Sequence, residues 1–264
     1  NGNGFPDECE TDLPFIQLQE IRIDQPGGDI DEYFEIRGDQ SMDLTGVWYL
    51  VIGDSPSGGS GVLECAIDLS GMAIPENGSL LVAEDDDTLG VLANYVLPGA
   101  LNFENGDNVT HFLAMNFYGV PGEDLDFDDD GFLDFEPWQE TIDGVQIVAT
   151  IDGSGEFTYL GFELIGPTVD GYAPAHAYRY TSACGNFAIG EYDPDHPDAV
   201  DTPGTENPPC PNPCTADVDG DGVVGVNDLL ALIGGWGSND STLDLDGSGS
   251  VDVADILLLI GAWG

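Results

Sequence analysis

The sequence predicts a mainly β fold, a β sandwich, followed by a small all-α module at the C-terminus. Three observations predict it. Residues 11–209 carry many short β-type runs interrupted by Gly, Pro and Asp, as in a chain of strands joined by tight turns. The same residues show almost no helical periodicity. The end of the chain holds a segment that occurs twice: Asp217–Gly237 and Asp244–Gly264 align without a gap. Each copy is an acidic, glycine-containing loop, then an apolar stretch of helical character, then a closing Trp-Gly.

In chain order, residues 1–10 form a polar stub and residues 11–209 the β domain. Its clearest strand candidates are Phe15–Ile23, Tyr33–Arg37, Val47–Ile52, Ser79–Ala83, His111–Met115 and Gly144–Ala149. Residues 210–214, within the stretch Pro208–Pro213 and Cys214, are a stiff Cys/Pro linker. Residues 215–264 form the helical module.

The charge balance sets the partners. The chain has 264 residues, with 51 Asp and Glu against 3 basic residues, Arg22, Arg37 and Arg179, and a formal net charge of -48. Nucleic acid and anionic membrane surfaces would repel it, so neither is expected as a partner, and no apolar run is long enough for membrane insertion. Apolar residues make up 41% of the chain, enough for a packed core. Such acidity strains a compact fold by self-repulsion unless cations neutralise part of it. The carboxylates are either a solvated, salt-adapted surface or divalent-cation ligands, and their spacing decides between these.

In the duplicated segment the spacing is that of a calcium loop. A Ca²⁺ ion takes six to eight hard oxygens at about 2.3–2.6 Å, and an EF-hand loop supplies them from positions 1, 3, 5, 7, 9 and 12 around a glycine at 6. In the first loop Asp217, Asp219, Asp221 and Asp228 present side chains and Val223 a backbone carbonyl, with water expected at Gly225. In the second, Asp244, Asp246, Ser248, Asp252 and Asp255 serve, with the carbonyl of Ser250. A third acidic run, Asp126, Asp128, Asp130 and Asp134 with the carbonyl of Phe132 and Gly131 at position 6, lies inside the β domain. Its position 12 is Pro137, so Glu136 or Asp124 is expected to complete it. Asn1, Asn3, Asp7 and Glu10 fit positions 3, 5, 9 and 12 of a further loop when Gly4 is placed at 6.

Several of these segments resemble known families. One apolar helix after each C-terminal loop, Leu229–Ile233 and Ile256–Ile260, is similar to the dockerin family. That resemblance implies two half EF-hands packed antiparallel around two calcium ions and docked onto a partner module. Loop positions 10 and 11 hold Val226-Asn227 and Val253-Ala254, and the helices carry no Lys or Arg. Cellulosomal dockerins often place polar residues there and basic ones in the helix. The implied partner is therefore another copy of the chain, or a surface or cohesin-like module other than the cellulosomal one. Asp31–Ile36, Met42–Leu50, Ile74–Val82 and the ending Asp201–Asn207 resemble the lamin-tail domain, which implies an immunoglobulin-like β sandwich over 11–209. The stub 1–10 resembles a thrombospondin type 3-like calcium repeat lacking its first two residues.

The five cysteines, without a Cys/His zinc pattern, suit an oxidising compartment. Cys210 and Cys214 are close enough to pair, Cys65 and Cys184 would then pair in the large domain, and Cys9 is left over. The alternative is five buried thiols. Arg37-Gly-Asp39 reads as a strand end, and the triplets at Asn77, Asn108 and Asn239 match a glycosylation signal that chance readily produces. His111, His176 and His196 form no metal pattern.

The function expected is that of a secreted, non-catalytic, calcium-binding structural protein, a cell-surface or extracellular filament or matrix subunit assembled through its C-terminal module. Leu258 and Trp263 are expected at its interface, because a unit this small cannot bury all its Leu, Ile and Trp. The alternatives are a dockerin-tagged secreted hydrolase and a calcium-dependent adhesion module. No Gly-x-Ser-x-Gly elbow is present. A pair of glycosidase carboxylates is compatible with the composition, but a sandwich over 11–209 leaves no room for a catalytic domain.

Overall fold

The computed structural model describes residues 15–28, 31–54, 59–87, 89–101, 103–104, 106–150, 156–181, 186–197, 199–209, 216–219, 224–246 and 248–261. The chain divides into two compact units, one of Asn1–Arg179 with Phe187–Thr205, the other of Tyr180–Asn186 with Glu206–Gly264. Among the described residues the fold is mainly β, with two sheets and two short helices. Among the described residues no helix is long and apolar enough to cross a membrane.

The first unit holds both sheets. β1 (Ile16–Arg22), β2 (Tyr33–Gly38), β3 (Val47–Asp54), β4 (Ser60–Asp68), β5 (Ser79–Ala83) and β6 (Tyr95–Val96) come first. β7 (Val109–Met115), β8 (Glu140–Ile147), β9 (Glu163–Ile165), β10 (His176–Arg179) and β11 (Phe187–Ile189) follow. One sheet runs β11-β10-β1-β2-β5-β6 and the other β4-β3-β7-β8-β9. All pairings are antiparallel except β5 with β6 and β8 with β9. Every strand candidate read from the sequence falls on a strand. β4 and the short β6, β9, β10 and β11 carried too little apolar signal to be singled out.

The sheets share one core. Leu18, Ile21, Phe34, Ile36, Leu80 and Val82 of the first meet Val47, Tyr49, Val51, Leu113, Val145 and Ile147 of the second. Phe34 and Tyr49 stack with ring centroids 3.8 Å apart. Polar bonds also cross between the sheets. Arg179 on β10 reaches both carboxylate oxygens of Asp143 on β8, at 2.9 and 2.8 Å, while Asp143 Oδ2 accepts the Leu18 N–H at 2.7 Å.

Both sheets are covered on their outer faces too. Leu50, Ile52, Leu63, Phe112 and Ala114 pack outward against Leu125, Trp138 and Tyr159. Tyr33, Leu81 and Ala83 pack against Leu89, Val91 and Ala93. Burial on two sides removes the in-out alternation of a half-solvated strand, which is why β3 reads as an almost unbroken apolar run and β7 as one broken only by the buried Thr110 and His111. Close packing also dictates Gly144: a Cβ there would lie 2.6 Å from the His111 carbonyl and 2.7 Å from Phe112 Cβ.

Two sequence signals change meaning in this setting. Asn108, a candidate glycan acceptor, is buried, and its side chain donates to the carbonyls of Thr150 and Glu156 and accepts from Ala149 and Thr150. It organises a loop and offers no attachment point. Cys65 is a buried free thiol donating to the Ala100 carbonyl, so no half-cystine is seen at this end of the expected pair with Cys184. Burial pushes its pKa up to about 12. Cys9, Cys184, Cys210 and Cys214 lie outside the described residues.

The second unit carries α1 (Val226–Gly234) and α2 (Val253–Gly261). Ala216, Val224, Leu232, Val251 and Leu259 form its core, with Leu229, Leu243, Leu245 and Ile256 against them. The equivalent positions Leu232 and Leu259 are both fully buried.

Candidate functional site

Among the described residues, the two C-terminal loops share the bonds of their position-12 carboxylates. In the second, Asp244 at position 1 folds back over its loop: Oδ1 accepts the Ser248 N–H at 3.0 Å and Oδ2 that of Gly249 at 2.8 Å. Gly249, at position 6, has φ 92°, a conformation that favours glycine. Asp246 accepts from the Ser248 N–H at 2.9 Å, and the Ser248 hydroxyl donates to the Ser250 carbonyl. Asp255, at position 12 and fully buried, accepts Leu245 and Asp246 N–H on Oδ1 and Asp252 N–H on Oδ2. Asp252 in turn accepts from Ala254 in the first turn of α2.

Asp228 repeats this in the first loop. It is fully buried, takes Val218 and Asp219 N–H on Oδ1 at 2.7 and 3.0 Å, and takes Gly225 N–H on Oδ2 at 2.8 Å. Those donors stand at positions 2, 3 and 9, as Leu245, Asp246 and Asp252 do in the other copy. Each carboxylate thus ties the start of its loop to the start of its helix. Hydrogen bonds from the backbone, led by Asp252 N–H, hold Asp255 below the usual carboxylate range. In Asp228 burial opposes and the hydrogen bonds from Gly225, Asp219 and Val218 prevail, with the same result. Asp217, Asp219 and Asp228 each bring an oxygen within 4.8 Å of the others. Asp221 and Val223 lie outside the described residues, as do Asn1, Asn3, Asp7, Glu10 and Trp263.

The 126–134 loop follows the same plan at its start. Asp126 is fully buried and accepts Asp130 N–H on Oδ1 at 3.1 Å and Gly131 N–H on Oδ2 at 2.9 Å. These are again positions 5 and 6. The Tyr159 hydroxyl donates to Asp126 Oδ2 at 2.9 Å and anchors the loop to the outer layer of the second sheet. Asp130 accepts the Phe132 N–H, and Asp134 accepts the Phe127 N–H at 2.8 Å. Asp134, at position 9, therefore takes the position-2 donor that position 12 takes in the C-terminal loops. Asp124, one candidate to complete the loop, accepts the Asp126 N–H at 3.1 Å. Oxygens of Asp126, Asp128 and Asp134 lie within 4.8 Å of one another. The neighbouring charge of Asp130, with smaller contributions from burial and from Asp134, Asp126 and Asp129, pushes the Asp128 carboxyl up. Repulsion of this kind is what a bound cation relieves.

Sequence reasoning missed a second constellation, a charged network on the outward face of the first sheet. Ile21 and Ile23 point into the core, so Glu20 and Arg22 alternate to the other face. Glu20 Oε1 accepts from Thr202 N–H at 2.9 Å and lies 2.9 Å from His176 Nε2, and Oε2 accepts from the Thr202 hydroxyl at 2.7 Å. The Tyr33 hydroxyl bridges Glu20 Oε1 at 2.6 Å and Asp201 Oδ1 at 2.8 Å. Arg22, 1% exposed, donates through Nε and Nη2 to Asp201 Oδ1 and through Nη1 to the carbonyls of Asp24, Glu191 and Tyr192. Glu20, His176 and Asp201 have the proximity of metal ligands. The positive charge there, however, is already supplied by the Arg22 guanidinium, while Thr202 and Tyr33 donate to Glu20 and Tyr33 also to Asp201. The network is a clamp that fastens 191–192 and 201–204 over β1, β2 and β10.

Glu35 belongs to the same face. Its Oε2 accepts the Gly204 N–H at 2.6 Å, and burial, with the nearby Glu20 charge adding, raises its pKa to about 7. An acid whose pKa is higher in the folded than in the unfolded chain binds more protons when folded. Stability is therefore fully present below the unfolded value near 4.5 and lost as pH rises toward 7. Glu35→Gln keeps an acceptor for Gly204 and removes the charge. It is expected to stabilise the first unit by about 3 kcal/mol near pH 8 and by little near pH 4.5, read from urea unfolding at the two pH values. Equal effects at both would sink the assignment.

Compared with known proteins, the chain matches no family model, no curated protein and no solved structure.

Proposed function

We propose that this chain is a secreted, non-catalytic calcium-binding protein that serves as a cell-surface or extracellular filament or matrix subunit and assembles through its C-terminal module. One observation carries the reading: among the described residues the two copies repeat the bonds of the position-12 carboxylate and the exposed face of the helix. Asp228 and Asp255 take equivalent backbone donors, so the two carboxylates at position 12, where a calcium loop places a ligand, are held in the same way. Outside, Val226, Leu230 and Ile233 of α1 and Val253, Leu257 and Ile260 of α2 form two equivalent apolar stripes. Leu230 is 59% and Leu257 63% exposed, and Leu258 and Trp236 are about half exposed beside them.

Exposed apolar faces of this size mark interfaces in soluble proteins. Over the rest of the surface, the charge of -48 keeps copies apart. A calcium-ordered apolar face is thus the place for attraction. The immunoglobulin-like, lamin-tail-like architecture is the reading proposed for the first unit, supported by its two-sheet core and by the segment 201–204 returning to β1 and β2. Contact between the module of one chain and the sheet unit of the next is heterologous, so it propagates into a fibre unless it closes.

Light scattering of the full chain in millimolar calcium and in chelator tests this. Wild type is expected to assemble in calcium and dissociate in chelator. Leu230→Gln/Leu257→Gln is expected to stay monomeric while still binding calcium. Discrete monomers of wild type in both conditions would favour a calcium-dependent adhesion module instead.

A further inference from the structure

In the first unit a groove of about 720 Å³ opens between the turn 167–173 and the segment 189–192. Both walls are fixed by hydrogen bonds. Thr168 closes its turn by donating its N–H to the Tyr172 carbonyl at 2.9 Å and accepting the Gly171 and Tyr172 N–H groups on its carbonyl and hydroxyl. On the other side Arg22, buried beneath the sheet's cover, donates Nη1 to the Glu191 and Tyr192 carbonyls, at 3.5 and 3.4 Å. The Gly190 N–H donates to the His176 carbonyl at 2.8 Å. Fixed walls present Tyr172, 72% exposed, and Tyr192, 49% exposed, together with the carboxylates of Asp24, Asp170 and Glu191.

The chemistry of this lining is selective. Among the described residues that line the groove, none has a cationic or amide side chain, and side-chain donors are limited to the hydroxyls of Thr168, Tyr172 and Tyr192. An anion would meet three carboxylates and no side-chain cation, and a neutral sugar would leave those charges unpaired. An organic cation finds aromatic faces and carboxylates together, the two groups that attract an ammonium or guanidinium. The chain itself cannot supply the cation. It has no lysine, Arg22 and Arg179 are committed to Asp201 and Asp143, and Arg37 has contacts of its own on β2. The volume is that of a drug-sized ligand, larger than a lone amine requires.

We propose that this groove binds a basic peptide segment of a partner protein, seating a lysine or arginine side chain against Tyr172 and Tyr192 and pairing it with Asp170, Glu191 and Asp24. The site is independent of the calcium loops and of the helical stripes. A second copy of the chain is not the occupant, because it has no lysine and its arginines are engaged in contacts of their own.

The test titrates full-length protein in millimolar calcium with acetyl-Gly-Lys-Gly-amide and its arginine counterpart. Norleucine and citrulline analogues, choline and glucose serve as comparisons. The salt is about 0.3 M, where long-range attraction to the acidic surface is largely screened. Amide shifts from the basic peptides are expected at 168–173 and 189–192, with the neutral analogues at least ~10-fold weaker. Tyr172→Ala/Tyr192→Ala and Asp170→Asn/Glu191→Gln should each weaken binding by roughly 5–10-fold. Asp85→Asn/Asp87→Asn, on the acidic run that follows β5, should leave it unchanged. The proposal is overturned if the Asp85/Asp87 variant weakens binding as much as the groove variants do. Choline binding as tightly as the peptides, shifts produced by glucose alone, or no shifts at all would overturn it too.

Discussion

Arg22→Met is expected to lower the stability of the first unit by about 3–5 kcal/mol, the range for removing one partner of a buried ion pair. Three losses combine. Asp201 keeps its carboxylate but loses the guanidinium that donates to it at 2.9 Å. Glu20, fully buried and linked to Asp201 through Tyr33, loses the nearest compensating charge. The carbonyls of Asp24, Glu191 and Tyr192 lose donors under the cover of the sheet. Removing Asp201 as well, in Arg22→Met/Asp201→Asn, should recover part of the loss, because the orphaned carboxylate is then absent. Urea unfolding in constant calcium, analysed as a double-mutant cycle, reads the coupling. A loss below about 1 kcal/mol, or no recovery in the double variant, would show that the clamp is not cohesive.

That clamp also marks where the sequence stopped being legible. Strand positions were readable because β3 is a run of Val, Leu, Ile and aromatic residues, and β7 holds Phe112, Leu113, Ala114 and Met115 in succession. The position-12 carboxylates Asp228 and Asp255 were readable because a twofold repeat fixes spacing against itself. Neither kind of signal exists for Glu20 and Thr202, which meet across 182 positions. His176 reads as an isolated polar residue in a strand until β10 is known to pair with β1, register Arg22↔His176. One hint was present: Glu20 and Arg22 alternate with Ile21 and Ile23, so charged side chains share a strand with core residues. With three cations in the whole chain, an arginine there had to be surrounded by carboxylates.

The helical module shows a different limit. An apolar run such as Leu229–Ile233 announces a helix but not which residues it buries. The structure turns Leu229 and Leu232 inward and leaves Leu230 and Ile233 outside, with Ile256 and Leu259 against Leu257 and Ile260 in the second copy. The division follows the helical period, since positions three apart share a face. Both copies place it identically, because each loop carboxylate sets the phase of its own helix.

Calcium removal should have its largest effect on this module. The first loop crowds the carboxylates of Asp217, Asp219 and Asp228 within 4.8 Å of one another, and the module's core is small: among the described residues, five buried side chains and four partly buried ones. A ligand that binds only the folded state at about 100 times its dissociation constant adds about 2.7 kcal/mol per site. For a unit of this size each kcal/mol moves the midpoint by roughly 4–8 °C. Melting in millimolar calcium and in chelator is therefore expected to differ by more than about 10 °C in the transition of the second unit. Asp244→Ala should cost one bound ion in calorimetry. Asp126→Asn should cost another at most, and should shift the transition of the first unit, where Tyr159 anchors that loop. The ionised ligands bind the metal, so the gain from calcium should fall as the carboxylates protonate below about pH 5. A midpoint shift of only a degree or two on chelation, or full ion stoichiometry in Asp244→Ala, would show that these loops are acidic turns rather than calcium sites.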